Sequence, residues 1–175
     1  DRARQRYQGF VDGCFRNGMK LPALLEIEED SLEINDLLFE FLQKNPTLTG
    51  IFASNDFLAL ATIRSARALG LRVPQDLSIV GFDGIEVGTM VEPSLATIAT
   101  DPKMMGSGAA RTVLSIINKT PMPDLPDPKS TFSFRAGGSL ASAVAEREDG
   151  KKAATFLPSN NPTMKNYKIQ REKLL

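Results

Sequence analysis

Histidine is absent from the chain, and so is tryptophan. Without histidine, the side chain best suited to proton transfer near neutral pH and the commonest metal ligand are both gone. A single cysteine, Cys14, excludes an internal disulfide framework and is compatible with a reducing compartment. Among its apolar neighbours it reads as inert core. No apolar run approaches the roughly 18 residues of a membrane span, and no signal-peptide pattern opens the chain, so a cytoplasmic protein without a membrane partner is expected. Charge of one sign is lacking too: 21 basic residues balance 21 acidic ones. This segment therefore has no basic excess with which to grip nucleic acid phosphates by itself.

The usual signatures of enzymes on an α/β scaffold are also missing. There is no Gly-x-Gly-x-x-Gly, no phosphate-loop lysine, and no Gly-x-Ser-x-Gly in a strand-to-helix context. Asp56 beside Asn55, and Asp83 with Asp101, suggest paired carboxylates, but neither pair has a base or nucleophile in a compelling position. The acidic cluster of Glu26, Glu28, Glu29 and Asp30 is read as a solvated loop in preference to a cation site. The chain is expected not to be an enzyme and to need no cofactor or metal.

What is present is ordinary globular composition, 42% hydrophobic over 175 residues, enough for one domain or two small lobes. Residues 2–17 place Tyr7, Phe10, Cys14 and Phe15 at three- and four-residue spacing, which predicts an amphipathic helix stopped by Gly18. Leu21–Ile27 reads as a short buried strand. A second helix follows over Glu33–Lys44, with Ile34, Leu37, Leu38, Phe41 and Leu42 on one face and Asn45-Pro46 at its end. Gly50–Ser54 is strand-like, and Asn55–Leu69 is a third helix closed by Gly70. Leu77–Phe82 is a continuous apolar run, as suits a central strand covered on both faces. This β-α-β-α-β alternation predicts a doubly wound parallel sheet with right-handed crossovers.

Beyond it, Ser94–Thr100 is a further strand leading to Asp101-Pro102, a helix N-cap with proline at the first position. The helix that follows runs to about Asn118, with Met105, Ala109, Val113, Ile116 and Ile117 expected to face inward. Four prolines between residues 121 and 128 make a stiff connector. Ser130–Arg135 is the last strand, and residues 141–175 read as a tail or linker.

Two of the strands end on short polar side chains, in IFASND and LSIVGFDG. Ligands of open parallel sheets bind beyond the carboxyl ends of the strands, which is where Asn55 and Asp83 fall. A carboxylate accepts two hydroxyl hydrogens, and an amide both donates and accepts, so together they match vicinal hydroxyls. The residues alone leave a plainer reading open, in which Asn55 only caps its helix and Asp83 only makes a turn with Gly84. Arg6, early in the first helix, has the planar donor fork to span two ligand oxygens; it also reads as part of a solvated patch with Arg2 and Arg4.

These segments resemble a family. RYQGFVDG is similar to the R-x-x-G-[FW] motif of the lactose/galactose-repressor (LacI/GalR) family. GIFASNDFLALATIRSARALGLRVPQDLSIVGFDG looks like that family's central block, EPSLATIATDPKMMGSGAARTVLSIIN like its next segment, and FSFRAGG like its final strand. The likeness covers residues 4–140. It implies a periplasmic-binding-protein-like fold of two α/β lobes, most of the C-terminal lobe being present. Residues 1–98 and 129–140 would belong to that lobe, and residues 99–128 would return to the N-terminal lobe. Nothing in the chain resembles a helix-turn-helix, so the resemblance implies a truncated regulator, or the sensing half of a fusion.

The family's effector contacts carry over to Arg6, Asn55 and Asp83. Thr100 stands where the family often has glutamine beside the aspartate of the return segment. The aromatic that often stacks on a sugar has no counterpart in EEDSLEIN. The expected partners are a small-molecule effector (a sugar or related polyol or nucleoside), a second copy of the chain, and DNA only through an N-terminal domain outside this sequence. An extracytoplasmic sugar-binding protein of a transporter and the sensor of a larger signalling protein are the alternatives.

Overall fold

The computed structural model describes residues 2–28, 33–125 and 127–141. Glu29 and Asp30 of the acidic cluster, and all of the predicted tail after Ala141, lie outside these residues. Four strands form one sheet in chain order: β1 (Gly50–Phe52), β2 (Ser78–Asp83), β3 (Ala96–Thr100) and β4 (Phe132–Arg135). The first three are parallel, and β4 returns antiparallel to β3. The helices are α1 (Arg2–Arg16), α2 (Ile34–Lys44), α3 (Asp56–Ala68) and α4 (Pro102–Asn118).

The helix boundaries follow from their caps. Asn55 accepts the Leu58 amide at 2.8 Å and Asp101 the Met104 amide at 2.8 Å, so each satisfies an orphan N–H of the helix it opens. Gly18 and Gly70 follow α1 and α3 with φ of +68° and +76°, the left-handed conformation that lets a chain leave a helix. β2 alternates its two faces. Ile79 and Gly81 point to α3, and a Cβ added at Gly81 would collide with Asp56 Oδ1 and come within 3.2 Å of the Ala59 Cβ. Val80 and Phe82 point to the other face, where α1 lies: the Arg6 guanidinium sits over the Phe82 ring, and Phe10 stacks on Phe52 at 5.2 Å. The sheet is thus covered on both faces, as a doubly wound sheet should be. The core gathers Leu42, Ala53, Ala59, Ile63, Ala66, Leu69, Leu77, Ile79 and Leu95 between α2, α3 and the sheet.

Three expectations need correction. Leu21–Ile27 forms no ladder: the stretch carries no strand assignment, and β1 pairs only with β2 among the described strands. A strand needs a neighbour to bond to, and its own apolar pattern does not provide one. In α1, Val11 and Cys14 are buried, whereas Phe15 is 83% exposed. In α4 the expected inward face is bare. Met105, Val113, Ile116 and Ile117 are 53–68% exposed, Ala109 is exposed as well, and Gly108 is the buried residue. The helix is amphipathic and well capped, but no described element covers its apolar side.

Candidate functional site

The carboxyl end of β2 carries Asp83, the last residue of its strand. Its backbone has φ +106°, a conformation that costs a non-glycine residue about 1–3 kcal/mol. Several groups hold it there. Asp56, the first residue of α3 and 1% exposed, accepts the Gly84 amide at 2.7 Å and the Ile85 amide at 2.8 Å through one oxygen. Its other oxygen accepts the Thr97 hydroxyl at 2.6 Å. A buried carboxylate is tolerated when it is hydrogen-bonded in this way. The turn itself needs glycine: Gly84 has φ +80°, and an added Cβ would sit 2.6 Å from the Ala99 Cβ. Thr100 closes the frame by donating its hydroxyl to the Asp83 carbonyl at 3.2 Å.

Arg6 reaches this turn from α1. One terminal nitrogen donates to Asp83 Oδ1 at 3.1 Å and the other to the Ser54 carbonyl at 2.5 Å. The guanidinium carbon is 3.8 Å from the centre of the Phe82 ring, a cation–π contact that fixes the plane of the fork. Phe82 is in turn tilted at 58° against Phe132 of β4, 5.9 Å away. The Arg6 and Asp83 side chains are 22% and 39% exposed. A partly exposed pair of this kind adds only about 0–1 kcal/mol to stability.

The structure therefore brings Arg6, Asp83 and Thr100 into direct contact. Asn55, the N-cap of α3, follows Ser54, whose carbonyl Arg6 holds. Its side-chain oxygen is occupied by the α3 cap, and its amide N–H₂ makes no hydrogen bond among the described residues. Capping and a ligand role are thus compatible, since they use different atoms. Chemically, the cluster presents carboxylate acceptors, a clamped guanidinium and amide donors, with charges that cancel. That set suits a neutral polyhydroxyl molecule.

Sequence reasoning weighed Asp56 only beside Asn55, as a paired carboxylate, and gave no place at the site to Phe82 or to Arg135, whose guanidinium donates to the Ile85 carbonyl at 3.3 Å. Asp56 falls on the buried stripe of α3 with Ala59, Ile63 and Ala66, and a charge on such a stripe signals a satisfied internal acceptor. Asp101, weighed as a carboxylate partner of Asp83, is the cap of α4. No group of three or more His, Cys, Asp or Glu residues among the described residues could hold a metal ion.

The model of the periplasmic binding protein-like domain matches residues 1–134. The chain belongs to that family. Within it, the chain is similar to regulators of the LacI type. It is 42% identical over 123 residues to the ribose operon repressor of Halalkalibacterium halodurans, covering 69% of this chain and 36% of that protein. The regulator GntR of Chromobacterium violaceum superposes with a TM-score of 0.71 at 25% identity, over 79% of this chain and 52% of that one. A CelR–cellobiose complex superposes with a TM-score of 0.64 at 27% identity, over 77% and 42% of the two chains. The chain thus spans about a third of the curated relative and about half of the solved ones. As an effector-binding domain of the LacI/GalR kind, it has the fold its sequence implied. Among the described residues no helix is long and apolar enough to cross a membrane.

Proposed function

We propose that this chain is the effector-binding part of a LacI-type transcriptional regulator, and that Arg6, Asn55, Asp83 and Thr100 line its ligand site. The observation that carries the reading is the Arg6–Asp83 pair, partly exposed at the end of a parallel strand, with Asp83 held at φ +106° by a buried frame. A neutral sugar or related polyol or nucleoside would place hydroxyls between the two, donating to Asp83 and accepting from Arg6, with Asn55 supplying further donors. The relatives support this: one is named for a ribose operon, and another is solved with cellobiose.

Ligand binding would shift the protein towards an arrangement in which two lobes close on the effector. Residues 1–98 and 129–140 would supply one lobe, and residues 99–128 would return to the other. The shift can be no larger than the ligand's differential affinity for the two arrangements. DNA would be held by a helix-turn-helix outside this sequence, in a cytoplasmic homodimer. The ligand is bound without turnover and without a cofactor.

Calorimetric titration of the protein with ribose, lactose and cellobiose tests the reading. At least one should bind and be recovered unchanged. Asp83→Asn should weaken that binding roughly tenfold to hundredfold, because a hydrogen bond to a charged group contributes about 1.5–3 kcal/mol. Binding that Asp83→Asn and Arg6→Met leave intact would refute the site.

A further inference from the structure

Arg135 ends β4, opposite Thr97 of β3 in the antiparallel ladder. That pairing puts its side chain on the α3 face of the sheet, beside the Asp56–Thr97 bond. From there its guanidinium reaches the turn after Asp83: one terminal nitrogen donates to the Ile85 carbonyl at 3.3 Å, and it would lie 3.1 Å from a Cβ at Gly84. Gly84 thus admits this guanidinium as well as the backbone of β3. The Arg135 Nε is buried without a partner. Burying an unsatisfied donor is unfavourable, so strand pairing alone does not account for an arginine here; a methionine would fill the space without that penalty.

We propose that Arg135 is a positioning residue for the ligand contact at Asp83. Asp56 holds the Gly84–Ile85 turn by its two N–H groups, and Arg135 holds the same turn by a carbonyl. Between them the turn cannot rotate, and Asp83 stays in its left-handed conformation with its carboxylate towards Arg6. β4 is the strand that follows α4 and the proline-rich connector, so Arg135 also ties the returning chain to the ligand contact. Displacement of β4 would release the turn. The functional consequence rests on the reading of Asp83 as a ligand contact; the conformational one does not.

The test is Arg135→Met, with Arg135→Lys as the conservative variant, followed by amide NMR on the intact protein. In Arg135→Met, the Gly84 and Ile85 amides should exchange roughly tenfold faster, as the loss of a charge-assisted hydrogen bond implies. The Ala53 amide, bonded to Val80 on the far side of the sheet, should not change. The Asp83 HN–Hα coupling, small at φ +106°, should rise towards the extended value, and Arg135→Lys should restore it at least in part. Unchanged exchange and coupling at the turn would overturn the proposal. Acceleration that is uniform and includes Ala53 would also overturn it, since that marks a merely structural arginine. If Arg135→Met does not fold, Arg135→Gln, which loses the charged donor to the Ile85 carbonyl, is read in its place: faster exchange confined to Gly84 and Ile85 supports the proposal, and native exchange there overturns it. Titration of Asp83→Asn with ribose, lactose and cellobiose, run beside this, separates the two claims. Sugar binding that survives Asp83→Asn would remove the ligand reading and leave the turn measurements standing.

Discussion

Helices α3 and α4 are built to the same plan and end in opposite surroundings. Each opens on a side-chain cap, Asn55 or Asp101, and each repeats apolar residues on one face. In α3 that face is closed: Ala59 and Ala66 are fully buried, and Asp56 on the same stripe has every carboxylate oxygen bonded. In α4 Ile116 and Ile117 are 65% and 68% exposed. Amphipathic spacing states that a helix requires a cover and says nothing of which segment supplies it. For α3 the cover is the sheet and α2. For α4 it is no described part of this chain.

The sheet half should prove far more sensitive to mutation than α4. Ile79 is fully buried, so Ile79→Ala should lower the unfolding free energy by about 2–5 kcal/mol in a denaturant titration. Asp56→Ala strands two backbone amides and the Thr97 hydroxyl and should lower it by roughly 2–3 kcal/mol. Asp101→Ala removes a cap and little else, for a loss of about 1 kcal/mol. Ile116→Ala, on the bare face, should change stability in this 175-residue chain by no more than about 0.5 kcal/mol. A loss there as large as that of Ile79→Ala would break the comparison, because it would mean the α4 face is already covered in solution.

The same contrast shows what could be read from the sequence. Helix ends were legible because Asn55, Asp101, Gly18 and Gly70 act locally, through their own side chains or φ values. The central strand was legible because a run such as SIVGF fits only a place shielded on both faces. The strand expected over Leu21–Ile27 and the cover of α4 were not, since both depend on a neighbour that no local pattern names. At the site, Asp83 and Asn55 were visible as polar ends of apolar runs, and Arg6 through a family motif. Asp56 and Arg135 were not: their roles come from a turn that folding brings to them across 28 and 50 residues of chain. The aromatic support also came from an unexpected quarter. Phe82, inside the strand, lies under Arg6, while the loop before α2 offers no aromatic residue.

The most direct test of the central claim is calorimetric titration of the protein and of Asp83→Asn with the same sugar, alongside their unfolding curves. The account predicts that the variant keeps its stability to within about 1 kcal/mol, because its ion pair is partly exposed to water, yet binds the sugar at least tenfold more weakly. Equal affinity in the two proteins would show that Asp83 is a turn residue and not a ligand contact.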